Sequence, residues 1–141
     1  MQTFTDSLHR TWDVCVTCAS AKRARDLAGV DILDITGGSL ERLERDIIAV
    51  GEVLHAICGP QRPGVALDEF LAALHGDSAH AARQALIDEI VSFTPDPSLR
   101  AALARVVTQA RAEAQARTAA LTMDGSSSGD APASSASTLD H

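Results

Sequence analysis

The stretch from Ile47 to Cys58 constrains the fold more than any other part of the chain. Wound as a helix, Ile47, Ile48, Val50, Val53, Leu54, Ile57 and Cys58 cover well over half the circumference. A surface helix needs only a narrow apolar stripe, so this one must be surrounded by other elements. Asp46 is placed to cap its start. Gly59-Pro60 is placed to end it, Gly59 in a left-handed cap and Pro60 because it cannot continue a helix. The remaining sequence has to supply a shell. With 141 residues the chain is expected to be one domain. Its apolar fraction is 45%, yet aromatics are 3%, with three Phe, one Trp and no Tyr. Much of the apolar count is Ala, which favours helix but buries little area. The core is therefore expected to be modest and built from Leu, Ile and Val.

The shell begins with strands. Phe4-Thr5-Asp6 and Thr11 to Thr17 flank Ser7-Leu8-His9-Arg10, and Trp12, Val14 and Val16 alternate with Asp13, Cys15 and Thr17. That period of two predicts a half-buried hairpin whose Trp12 face rests on helices. A helix follows over Ala19–Ala28, stopped by Gly29. Val30 to Ile35 reads equally as a short strand or a helical turn, and Thr36 to Ser39 as a loop. Leu40–Arg45 predicts a short helix capped by Ser39. Leu67–Leu74 predicts another, with Gly76 as its stop and Asp77 or Ser78 starting the next. There Ala79, Ala82, Leu86, Ile90 and Phe93 recur at helical spacing, widened by Ile87 and Val91. Pro95-Asp96-Pro97 breaks the pattern, and Ser98 is expected to cap a last helix ending near Leu121. The expected core is Trp12, Val14, Val50, Val53, Leu54, Ile57, Leu71, Leu86, Ile90 and Phe93. The fold class is α+β, mainly α: an N-terminal two-stranded β-hairpin packed on five or six helices, with a disordered C-terminal tail.

Charge divides the chain further. Twelve basic and 19 acidic side chains give a net charge of −7. Residues 1–97, the hairpin and helical body, are strongly acidic. Residues 98–123 carry Arg100, Arg105, Arg111 and Arg117 against Glu113 alone, on an Ala-rich helix whose C-terminal half is expected to project or to meet a partner. Residues 124–141 are an acidic Ser/Ala/Gly tail that buries too little to offset the entropy of ordering. The lack of a basic excess and of aromatic stacking platforms argues against a nucleic-acid-binding module. No apolar run approaches ~20 residues, so no transmembrane helix is expected. The first residues lack a basic and then apolar leader, which predicts a cytoplasmic protein.

Few residues suggest chemistry. Cys15-x-x-Cys18 and His55-x-x-Cys58 have spacings from which a Cys₃His zinc site could be built. Against that, Cys15 falls in a predicted strand without a Gly or Pro knuckle. Cys58 falls on an apolar stripe, where free Cys packs as a small hydrophobe. Packing is the preferred reading, and no metal or other cofactor is expected. Asp31 and Asp34 are better read as turn carboxylates than as magnesium ligands. His9, His75, His80 and His141 fall in loops, helix ends or the tail, and no nucleophile motif accompanies them. The expectation is that the protein is not an enzyme.

Several stretches, in order, resemble a known family. They are Phe4-Thr5-Asp6 through Arg10-Thr11-Trp12; Lys22-Arg23-Ala24-Arg25; and Gly29-Val30-Asp31-Ile32-Leu33-Asp34. Further along come Val53 to Cys58 with nearby Gln61, Leu67-Asp68-Glu69-Phe70, and Ala85 to Phe93 followed by Pro95. Over residues 3–97 the chain resembles the tail assembly chaperone-like proteins of tailed bacteriophages and prophages. The resemblance implies a non-enzymatic cytoplasmic protein that transiently binds the tape-measure protein and helps recruit tail-tube subunits. A small structural or regulatory protein retained in the virion is the alternative, and a zinc-binding protein a more remote one.

Overall fold

The N-terminal alternation becomes a β-hairpin in the computed structural model, which describes residues 1–130. Strands β1 (Gln2–Thr5) and β2 (Thr11–Val14) pair antiparallel, with Phe4 opposite Trp12 and Gln2 opposite Val14. Phe4, Trp12 and Val14 face inward, and the alternation of burial continues to Val16 although the ladder ends at Val14. Asp6, expected at the end of the first strand, is instead the anchor of the turn between the strands.

Helix α1 (Cys18–Ala28) starts at a Thr17–Ser20 capping box. It ends at Gly29, whose φ of 70° is the left-handed conformation glycine adopts without cost. The ambiguous segment that follows is not a strand. Val30 and Ile32 are buried, a turn runs from Asp31 to Asp34, and a 3-10 turn covers Ile35–Gly37. Helix α2 (Ser39–Arg45) is not capped by Ser39. Gly38 holds that position at φ 90°, and the Ser39 hydroxyl donates instead to the Asp31 carbonyl at 2.7 Å.

Helix α3 (Ile47–Cys58) is the central element. The Asp46 carboxylate accepts from the N–H groups of Ile48 and Ala49, as its position predicts. Val50, Val53, Leu54 and Cys58 are fully buried. The exit differs from expectation: Gly59 is right-handed at φ −50°, and the chain continues as a 3-10 turn, Gly59–Gln61. Pro60, with no N–H to lose, fits the start of that turn. Helices α1, α2, α4 (Leu67–Ala72) and α5 (Gly76–Phe93) all pack against α3, as does β2. Gly76 does not merely stop α4. At φ 57° it turns the chain and opens α5, with Ser78 in the capping box of His75.

Helix α6 runs Pro97–Asp130, past the expected end near Leu121; of the tail expected over 124–141, residues 131–141 lie outside the described residues. Asp96, not Ser98, caps it: its carboxylate accepts from Ser98 N–H at 2.9 Å and Leu99 N–H at 3.4 Å. Pro97 then takes the first helical position, where its fixed φ suits the helix.

The chain divides into two units, the first Met1–Arg100 and the second beginning at Ala101. The core of the first unit contains eight of the ten expected residues; Leu71 and Phe93 are only half-buried. Phe4, Val16, Val30, Ile32, Leu43, Cys58, Phe70, Leu74 and several alanines also belong to it. Phe70 is its aromatic hinge, meeting Trp12 edge-on with ring centroids 5.0 Å apart and Phe4 at 6.4 Å. No helix among the described residues is long and apolar enough to cross a membrane.

Candidate functional site

The densest polar constellation lies under the hairpin turn. Asp6 is 3% exposed. Its Oδ1 accepts from Leu8 N–H at 2.9 Å and Arg10 N–H at 3.0 Å, and its Oδ2 from Arg10 Nε at 2.7 Å and Trp12 Nε1 at 2.9 Å. Burial pushes the carboxyl pKa up, but hydrogen bonds from Trp12, Arg10 and Leu8 together outweigh it and hold the group below its ordinary value. The Arg10 guanidinium continues to Glu69 at 3.7 Å and lies over the Trp12 ring at 5.6 Å. Arg62 lies over the same ring at 5.4 Å. The turn is tied to the helices by Ser7, whose N–H and hydroxyl both donate to the Ala73 carbonyl, at 3.0 and 2.7 Å.

Two further ties hold the other end of the hairpin. Glu89 of α5 is 6% exposed, and its Oε1 accepts from Val16 N–H at 3.3 Å. Asp13 is held by Gln61, whose Oε1 accepts from Asp13 N–H at 3.0 Å and whose Nε2 donates to Asp13 C=O at 2.6 Å. These side chains all bind backbone, and what they accomplish is positional: they fix a two-stranded sheet that would be marginal alone.

The sequence pointed elsewhere for chemistry. Cys15 and Cys18 are exposed, on the solvent side of the chain entering α1, whereas Cys58 is buried in α3. The Cys58 thiol donates to the Asp13 carbonyl at 3.4 Å. Burial, then the negative charge of Asp13, push its pKa up to about 12. His55 Nε2 donates to the Val65 carbonyl at 3.0 Å, and its ring meets Phe70 edge-on at 5.4 Å. The four zinc candidates are thus not brought together. The alternation of burial past β2 is the reason for Cys15, since Val16 takes the inward position and Cys15 the outward one, while Cys18 sits exposed in the first turn of α1. Among the described residues no group of three or more His, Cys, Asp or Glu is gathered as a metal site. Asp31 behaves as a turn carboxylate, with Oδ1 accepting from Leu33 N–H at 3.1 Å. His9 sits in the hairpin turn at φ 63°, His75 caps α5, and His80 bonds Gln84 at 2.9 Å.

The missed residues are Asp6, Arg10, Gln61, Arg62 and Glu89. Two left a signal. Asp6 opens a turn, where an Asp side chain bonds the backbone two residues on. Glu89 lies seven residues after the apolar position Ala82, on the same face of α5. The second unit offers a different kind of surface. Along α6, Val106 is 63% and Leu121 72% exposed, among Arg105, Arg111 and Arg117. Comparison with family models, with curated proteins and with solved structures gives no match.

Proposed function

We propose that the protein is a non-enzymatic tail assembly chaperone, transiently binding the tape-measure protein in the host cytoplasm and helping to recruit tail-tube subunits. One observation carries the reading beyond the resemblance over residues 3–97. Helix α6 exposes the apolar side chains of Val106 and Leu121 on a segment whose charge is positive, while residues 1–97 are acidic. Exposed apolar groups on a helix suit the capture of another amphipathic helix, and an acidic body keeps a transient complex soluble. The polar side chains of the first unit support the same reading, because the buried Asp6, Glu89 and Cys58 and the half-buried His55 are all engaged in holding the fold.

The test is a pull-down from cells producing the neighbouring gene products, with mass spectrometry of purified particles beside it. Recovery of a long, Ala-rich helical partner supports the chaperone. Failure to recover one tells against it. Stoichiometric presence in the particle excludes the transient role and favours a virion protein. Val106→Asp with Leu121→Asp is expected to cut capture about tenfold or more, since each places a charge in an apolar contact.

A further inference from the structure

The hairpin register decides which backbone groups face outward. Asp6 N–H donates to the Arg10 carbonyl, so Asp6–Arg10, Phe4–Trp12 and Gln2–Val14 are the hydrogen-bonded pairs. Thr11 and Asp13 alternate with these pairs, and their N–H and C=O groups point away from β1. The close approach of the Thr5 and Thr11 hydroxyls, 3.3 Å, fits a non-hydrogen-bonded pair. The outer edge of β2 is therefore a template on which another strand can add. At Asp13 that place is filled by a side chain. The Gln61 amide accepts from Asp13 N–H and donates to Asp13 C=O, the same donor–acceptor pair that a neighbouring strand offers. Gln61 is presented by the Gly59–Gln61 turn, and the following Arg62 is seated on Trp12. Thr11, Asp13 and Gln61 are all exposed, and besides Gln61 the Asp13 carbonyl accepts from the buried Cys58 thiol at 3.4 Å.

We propose that Gln61 is an edge guard, whose amide occupies the outer edge of β2 and blocks its pairing with β2 of a second copy. The second copy is the fitting occupant because the edge is self-complementary. With Thr11 of each copy opposite Asp13 of the other, about a two-fold axis at Trp12, the outward groups all find partners. The same register sets each Asp13 carboxylate across from a threonine rather than from its twin, avoiding like charges in direct opposition. This inference does not rest on the chaperone reading.

The full chain with Gln61→Ala tests it. In sedimentation velocity the variant is expected to gain a concentration-dependent species of twice the wild-type mass, with Trp12 fluorescence still native. Adding Thr11→Pro removes one outward N–H at the first strand residue, where proline is tolerated, and should abolish that species. A variant that sediments like wild type at every concentration overturns the proposal, as does a gain in mass that Thr11→Pro leaves intact. Amide exchange on the wild-type protein is a check needing no variant. The Asp13 amide should exchange about tenfold or more slowly than that of Thr11; equal rates would show that the guard is not in place.

Discussion

Asp6 presents one carboxylate to four donors, and its removal strands three kinds of group at once: two backbone amides, a guanidinium and an indole N–H. Asp6→Ala should cost about 3 kcal/mol, because the fully buried Trp12 indole N–H and the half-buried Arg10 guanidinium are left without their acceptor. Urea unfolding followed by Trp12 fluorescence measures this, and a loss under about 1 kcal/mol would show that the turn is held by something else. The depressed pKa sets the sign of the pH dependence. The ionised Asp6 stabilises the fold fully above its ordinary value near 3.8, and the contribution is lost as pH falls through the lower folded-state value. The stability gap between wild type and Asp6→Asn should accordingly be constant at neutral pH and close below about pH 3.8. Cysteine reactivity is a second prediction at this scale. At pH 8 a thiol reagent should label Cys15 and Cys18 quickly and Cys58 only on unfolding, since Cys58 is buried with its pKa near 12. Uniform labelling of all three would place Cys58 at the surface. The positions of Cys58 and Trp12 were legible from periodicity alone. The partners of Asp13 were not, because Gln61 is 48 residues away and nothing local marks an amide that bonds a strand edge.

At the scale of elements, the sequence located every helix of the first unit but often assigned the wrong cap. Where two candidates adjoin, the side chain that reaches free amides wins, and a short hydroxyl loses to a longer carboxylate. Asp96 therefore caps α6 ahead of Ser98, whereas at α2 no side chain caps: Gly38 holds the position and Ser39 turns back to the Asp31 carbonyl. Asp96→Ala should lower stability by about 1 kcal/mol and Ser98→Ala by only a few tenths, read as a shift in denaturation midpoint. The reverse order would return the cap to Ser98. Asp46→Ala should cost a similar ~1 kcal/mol, since Asp46 satisfies two amides at the head of α3. The end of α3 was misread for a related reason. Gly permits a left-handed cap but does not compel one, and Pro60 is as well suited to opening a 3-10 turn as to ending a helix.

At the scale of the whole molecule, the breadth of the α3 stripe translated into a central position, with α1, α2, α4, α5 and β2 all against it, although Ile48 of that stripe is 59% exposed. Leu54, fully buried at its centre, should lose about 2–5 kcal/mol on truncation to Ala. What one-dimensional pattern did not convey was how the hairpin is attached. Its ties reach far along the chain: Asp13 to Gln61, Ser7 to Ala73 and Val16 to Glu89, separations of 48, 66 and 73 residues. These distances have a consequence for biosynthesis. The hairpin leaves the ribosome well before α5, and its last anchor is not made until α5 has emerged. At about 5–20 residues per second, the nascent hairpin waits on the order of several seconds with Phe4 and Trp12 unhoused. During that interval the segment is open to holdase chaperones and to proteases, and slowing elongation ahead of Glu89 would lengthen its exposure.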